Sequence, residues 1–366
     1  MNQSERDVMR ESSASMGASF DVHGLVGIEV DPGTPGESQL RDMLAPFLGK
    51  SRAPLRLRVS GDMTPVEGQS HAEDAYRFTE GSLYVSADRV QIVEMHDGYK
   101  VQGRGELLTA VIPLLDHLCV RENAAMIHAA VVDFRGSGVL LPAWGGVGKT
   151  STVAKLVAQP GVRFMADDWA FIGDDGLLLG YAKPMFIKPH HRAIYPDVFS
   201  GVRKPLAPGW LTNPVARLAT AVHPVIVRYP KTAAFTRRWS PEHRMVHPEQ
   251  VFGADRISSG ALTRLAIFLE RFDGPDARLE ARSIEWMTSR IVGNFHSELP
   301  MVSRRLVEAL GATGLVPLAE HFAQKAAIVQ RALEGVPCSL LRIPVSWSAD
   351  RTSDYVANLI NSKLDE

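Results

Sequence analysis

Eight residues near the middle of the chain, Ala143-Trp144-Gly145-Gly146-Val147-Gly148-Lys149-Thr150, constrain the fold more than any other stretch. Glycines at 145, 146 and 148 let successive backbone N–H groups turn toward one point, because no side chain obstructs them and positive φ costs glycine little. The flanks say what kind of turn this is. GVLLP at 138–142 is an apolar strand running into it, and STVAKLVAQ at 151–159 is a helical pattern running out. A strand, a glycine loop and a helix N-terminus together form an anion cradle, in which the helix end adds positive potential to the converging N–H groups. The spacing matches the phosphate-binding loop, with Ala143 where the first glycine usually stands. Trp144, Gly145, Gly146, Val147, Gly148, Lys149, Thr150 and Ser151 are therefore the candidate nucleotide-binding segment. Lys149 can reach the β- and γ-phosphates, and the Thr150 hydroxyl can ligate Mg²⁺, so ATP and Mg²⁺ are the expected cofactors.

VRFMA at 162–166 is a further strand, and it ends at Asp167-Asp168, eighteen residues after Lys149. That gap holds one helix and one strand, which returns the chain beside the glycine loop. Adjacent carboxylates there can divide two tasks, a second Mg²⁺ contact and acceptance of the proton of an attacking hydroxyl. Both are candidate catalytic residues with Lys149, and Thr150 and Asp168 are the candidate metal ligands. Asp174-Asp175, bracketed by Gly173 and Gly176, read as a structural turn. His128 opens the strand IHAAVVDF, and from the residues alone it reads as a satisfied structural histidine.

The remaining pattern predicts an α/β fold with a mixed central sheet, because short strands follow Asp168 without intervening helices, which an all-parallel sheet would require. Residues 1–20 are polar, lack an apolar signal core and are expected to be disordered. A small, mainly antiparallel sheet with a covering helix is expected over 21–122. LRLRV at 55–59, AYRF, SLYVS and VQIVEM alternate as strands, and Asp97-Gly98 marks a hairpin. ELLTAVIPLLDHLCVRE at 106–122 is helical, with Pro113 expected to kink it or mark an early turn. The loop-bearing domain is expected over 123–350, and a helix or tail over 351–366. Within the loop-bearing domain lie a Pro-rich segment at 190–224, a strand PVIVRY, and a basic stretch with Arg228, Lys231, Arg237, Arg238 and Arg244, read either as an acceptor-binding lid or as a solvated loop.

Composition excludes several classes. Forty basic against forty-one acidic residues leave a formal charge of -1, so the whole chain carries no electrostatic footprint for nucleic acid or an anionic membrane. No run approaches the roughly 18 uninterrupted apolar residues needed to span a bilayer. A cytoplasmic location is expected, with Cys119 and Cys338 as reduced core thiols. His243 and His247 sit four apart but between prolines and without an acidic or cysteine complement, and adjacent His190-His191 would point apart, so neither pair reads as a metal site.

The run Ile127 to Ile172, IHAAVVDFRGSGVLLPAWGGVGKTSTVAKLVAQPGVRFMADDWAFI, resembles the HPr kinase/phosphorylase family and its relatives with the phosphoenolpyruvate-carboxykinase-like P-loop fold. A His-Ala strand start, a short hairpin, the glycine loop and the Asp pair occur in the family's order. The resemblance implies phosphate and Mg²⁺ contacts at Lys149 and Thr150, the catalytic and metal-binding pair at Asp167 and Asp168, and a place near the transferred phosphate for His128. It implies transfer of a γ-phosphate to a serine-like hydroxyl on a small molecule, a peptide or a carrier protein. The downstream signature of bifunctional HPr kinase/phosphorylases is absent, which sets apart the HPr substrate and the reverse reaction. Homo-oligomerisation stays open. The competing expectation is a nucleotide-sensing binding protein with little or no phosphotransfer; no Asn-Lys-x-Asp segment supports a GTPase.

Overall fold

A computed structural model describes residues 17–63, 69–71, 76–187, 195, 198 and 244–364. The basic positions 228, 231, 237 and 238, the histidines 190, 191 and 243, the strand expected at 224–229 and the first sixteen residues lie outside them. Two compact units are distinguished, residues 1–183 with 255–366, and residues 184–254. In the smaller unit, β14 (Met185–Ile187) and β15 (Arg244–Val246), as numbered below in chain order, pair antiparallel, and α4 (Pro248–Phe252) follows.

The larger unit opens on an eight-stranded sheet. Its strands are β1 (Ala18–Val22), β2 (Val26–Val30), β3 (Leu55–Ser60), β4 (Gln69–His71), β5 (Tyr76–Thr79), β6 (Ser82–Val85), β7 (Val90–Met95) and β8 (Gly98–Gly103), in spatial order 1-2-3-8-7-6-5-4. α1 (Glu37–Met43) lies between β2 and β3 in sequence. Alternation fixes which face is buried: Phe20, Val22, Leu57 and Val59 are fully enclosed while Arg58 points out. The expected hairpin at Asp97-Gly98 joins β7 to β8. Glycine is required there, since a Cβ on Gly98 would stand 1.9 Å from the Arg56 carbonyl oxygen. Two departures appear. β2–β3 and β3–β8 are parallel, and the sheet begins at Ala18, inside the segment expected to be disordered.

α2 (Leu108–Arg121) covers this sheet, with every side chain from Ala110 to Val120 buried. Pro113 lies inside it. A proline there leaves the Thr109 carbonyl without its helical donor, and the buried Ser303 hydroxyl donates to that oxygen at 2.8 Å. The proline is accommodated by a side chain 194 residues away, so the helix runs through it.

The second sheet is mixed, as the spacing predicted. β9 (Ala124–Phe134) and β10 (Ser137–Pro142) form a hairpin whose two-residue turn, Arg135-Gly136, has both φ angles positive, the conformation that matches strand twist. α3 (Lys149–Val157) follows, then β11 (Val162–Ala166), β12 (Trp169–Gly173) and β13 (Leu177–Leu179). β16 (Gly260–Phe272) and β17 (Arg278–Ala281) precede three helices, α5 (Ile284–Glu298), α6 (Met301–Ala312) and α7 (Leu318–Ala332). β18 (Cys338–Pro344) and α8 (Ala349–Leu364) end the chain. The order is β10-β9-β12-β13-β16-β18-β17, and β10 also pairs parallel with β16. All eleven residues of β9 are buried, so its two polar members, His128 and Asp133, need internal partners.

The boundary expected at 122/123 does not separate two bodies. Phe20, Ile28, Leu57 and Leu115 belong to one apolar cluster with Met126, Phe171, Tyr181 and Phe295. The Tyr181 hydroxyl donates to the Met43 carbonyl at 2.9 Å, and His23 Nε2 lies 2.8 Å from the Gly180 carbonyl oxygen. A second cluster fills the other side of the mixed sheet, joining β9, β10, β16 and β18 to α5 and α7 through Ile127, Leu140, Phe268, Ile291 and Ile328. Cys119 and Cys338 are free and buried in these cores. No helix of the described residues is long and apolar enough to cross a membrane.

Candidate functional site

β10 ends at Pro142 and α3 begins at Lys149, so the glycine segment is a strand-to-helix loop. Gly146 (φ 81°) and Gly148 (φ 107°) hold left-handed conformations that a residue with a Cβ would resist. Lys149 Nζ folds back over the loop and donates to the Ala143 carbonyl at 2.6 Å and the Trp144 carbonyl at 3.3 Å. Burial holds its pKa below the usual lysine value, against the pull of Asp168, Asp167 and Glu298. Val147 is buried within this loop. Ser151 is buried with its hydroxyl unpartnered. Trp144, 39% exposed, lies with its ring under the Arg290 guanidinium.

The aspartate pair sits in an interruption between two strands that share one partner. β11 pairs with β9 at residues 131–134, β12 pairs with it at 124–128, and Asp167-Asp168 fall between them beside a register shift at Phe164/Ala166. Such a bulge re-aims side chains that a regular ladder would alternate. The Ala129 N–H donates to the Asp168 carbonyl at 2.9 Å, which seats the pair against the strand start that carries His128.

The two carboxylates differ. Asp167 Oδ2 accepts from the Thr150 hydroxyl at 2.9 Å, whereas its Oδ1 is buried without a partner. Burial first, and then the neighbouring Asp168 charge, push its pKa up to about 6. Asp168 has both oxygens engaged, Oδ1 with His128 Nε2 at 2.7 Å and Oδ2 with Lys183 Nζ at 2.9 Å. Burial raises its pKa, but the Lys183 ammonium and the His128 hydrogen bond outweigh it and hold the carboxyl well below its usual range. The carboxylate expected to ligate metal is thus the one already neutralised by protein, and the one with a spare oxygen beside Thr150 is its neighbour.

Asn294 of α5 ties the parts together. Its Nδ2 lies 3.0 Å from the His128 carbonyl, 3.2 Å from the Ala143 carbonyl and 3.1 Å from His128 Nδ1. Two carbonyl acceptors require the amide nitrogen at that position, so Nδ1 faces a donor and the imidazole carries its proton on Nε2, toward Asp168. One turn on, Glu298 Oε1 accepts from the Gly145 N–H at 3.0 Å. Lys183, Asn294 and Glu298 escaped the sequence reading. Asn294 left a signal: it falls on the apolar stripe of α5 with Met287, Ile291 and Phe295, where a polar residue needs a buried partner. Lys183 left none. Asp174-Asp175 do form a turn, with Asp175 Oδ1 accepting from Leu177 N–H at 3.0 Å.

No protein-family model and no curated protein matches the chain. Among solved structures, the Hpr(Ser) kinase/phosphatase from Coxiella burnetii aligns over 66% of this chain and 97% of its own, at 11% identity and a TM-score of 0.29. A likeness that distant assigns no activity.

Proposed function

We propose that this protein is an ATP- and Mg²⁺-dependent phosphotransferase that moves the γ-phosphate to a serine-like hydroxyl. The observation that carries the reading is the pairing of Thr150 with Asp167 at the mouth of the glycine loop, with one buried Asp167 oxygen left unpartnered. A hydroxyl and a spare carboxylate oxygen suit Mg²⁺, which takes one or two protein ligands and completes its shell with phosphate oxygens and water. We therefore assign the metal contacts to Thr150 and Asp167 rather than to Thr150 and Asp168. Bound there, the ion would neutralise charge on the β- and γ-phosphates.

The chain's own groups supply the rest. The backbone N–H groups of residues 146–150 would hold the phosphates, and Lys149 would exchange its two carbonyl contacts for phosphate oxygens. Asp168, about 40% exposed as a side chain, stays ionised between Lys183 and His128 and orients the acceptor hydroxyl by accepting its hydrogen bond. In a loose transition state the proton leaves late, so a carboxylate with a low pKa can serve. His128 and Asn294 fix where that carboxylate points. The resemblance of residues 127–172 to HPr-kinase-like proteins supports a hydroxyl acceptor on a small molecule, peptide or carrier protein.

The test is incubation of the purified chain with γ-labelled MgATP and a panel of free serine, small alcohols, serine peptides and HPr, with Lys149→Ala as control. Label on an acceptor, lost in the control, establishes transfer. Tight nucleotide binding with no label on any acceptor would favour the sensor.

A further inference from the structure

β16 runs parallel beside β10, and the pairing continues to a bridge between Ala143 and Leu269, so the end of β16 emerges where the glycine loop begins. Arg271 stands two residues beyond that bridge. Its Nη1 donates to the Pro344 carbonyl at 2.8 Å and the Trp347 carbonyl at 3.3 Å, which fixes the plane of the guanidinium. The other end of the fork borders the loop: a Cβ placed on Gly148 would lie 4.0 Å from Arg271 Nη2 and 3.7 Å from Thr352 Cγ2. Thr352 is itself buried with its hydroxyl unpartnered.

What is missing around Arg271 is an anion. No described carboxylate forms an ion pair with it, and burial alone depresses its pKa. Two other half-buried arginines beside this sheet are matched, Arg290 with Glu270 at 2.5 Å and Arg342 with Glu280 at 3.4 Å. An arginine held rigidly, partly desolvated and without a counter-charge pays a solvation penalty that a bound anion would recover. The strand pairings place it across β10 from the aspartates, which interrupt the two strands on the far side of β9.

We infer that Arg271 is the second cation of the phosphate site, donating from Nη2 to a non-bridging oxygen of a bound polyphosphate beside Gly148. This rests on the nucleotide-binding reading above and adds a residue to it. The loop would then be flanked by a carboxylate and metal side and an arginine side, with Lys149 between. Arg271 is a binding residue in this proposal, and its guanidinium fork is what distinguishes it from a point charge.

The experiment measures ATP, ADP and inorganic tripolyphosphate binding by calorimetry on the full chain, for wild type, Lys149→Ala, Arg271→Gln and Arg271→Lys. Gln keeps amide donors for the two carbonyls while removing the charge. Arg271→Gln is expected to lose at least tenfold in affinity for all three ligands, and Arg271→Lys less. Affinity within twofold of wild type in Arg271→Gln, with Lys149→Ala impaired, would overturn the inference and leave the loop reading standing. Absence of polyphosphate binding to wild type would overturn both. If Arg271→Gln does not fold, wild type decides: saturating tripolyphosphate or ATP should slow modification of Arg271 by an arginine-directed dicarbonyl at least fivefold by peptide mapping. An unchanged rate at a ligand concentration shown to bind would refute the contact, since a residue that merely braces the β18 to α8 turn gains no protection.

Discussion

Two aspartates in this molecule are each held by a lysine and a histidine. Asp168 has Lys183 and His128, and Asp116 of α2 has Lys325 at 2.7 Å from both oxygens and His321 Nε2 at 3.3 Å. The chemistry is the same and the settings are opposite. Asp116 also accepts the Met126 N–H at 3.0 Å, Lys325 is 1% exposed and lies over the Phe295 ring, and the cluster locks α2, α7 and β9 inside the core. Asp168 sits between two strands beside a bulge, keeps one side toward solvent, and adjoins a glycine loop. A triad of residue types therefore says little about function. Access and the empty valences around it say more: of the two, the outer cluster is the one that adjoins a spare carboxylate oxygen, that of Asp167, next to a helix N-terminus.

Substitution should separate the clusters most sharply. Asp168→Asn is expected to lower phosphate transfer by about 10²- to 10⁴-fold while costing less stability than Asp116→Ala, because Asn keeps a carbonyl acceptor for the buried Lys183 ammonium, read by γ-label transfer and a melting curve on the same preparation. Full activity in that variant would remove Asp168 from the mechanism. Asp116→Ala should behave in reverse. It strands a buried ammonium, and loss of one partner of a buried pair costs about 3–5 kcal/mol, seen as a lower denaturation midpoint. A fold of undiminished stability that had lost only activity would collapse the contrast.

Acid should find the inner cluster next. Burial first, then His321 and Arg121, lower the His117 pKa to about 4, with Asp116 opposing. His117 also meets the Tyr99 ring on β8. Its folded pKa lies below the unfolded value near 6.5, so the folded state binds fewer protons. Stability should fall as pH drops from 6.5 toward 4, by up to about 3 kcal/mol, and then level off for this group. Asp116, held near 2 by Lys325 and His321 against burial, adds a second loss between its unfolded value of 3.8 and about 2. Urea midpoints across pH 4–7 for wild type and His117→Phe check the first window; an equal slope in both would assign it elsewhere. The smallest effect is expected for Asn294→Ala, about tenfold in transfer (~1.4 kcal/mol), with the His128 to Asp168 geometry loosened. Asn294→Gln should not rescue it, because the longer side chain moves the amide off both carbonyls. A variant that only lowers the melting midpoint would make Asn294 a packing residue.

Local pattern already contained the strand, loop and helix around Gly145 to Thr150, the return of the chain at Asp167-Asp168 and the Asp97-Gly98 hairpin. Each depends on neighbours within a few residues, on backbone freedom at glycine, or on the period of apolar side chains. It failed at Ala18, where a polar leader ends in a strand whose partner and core supply the order, and at the 122/123 boundary, because Tyr181 and Met43 meet only in three dimensions. It failed also for Lys183, Asn294, Glu298 and Arg271. A lysine or an arginine in sequence is by default a solvated surface charge, and nothing within a few residues of Lys183 announces a carboxylate fifteen positions back. Chain order could name the loop and the acidic pair, because both are written in contiguous text. Which aspartate keeps a free oxygen, and which cation lacks an anion, were settled by strand pairing and burial, since those depend on partners brought together from 124 to 364.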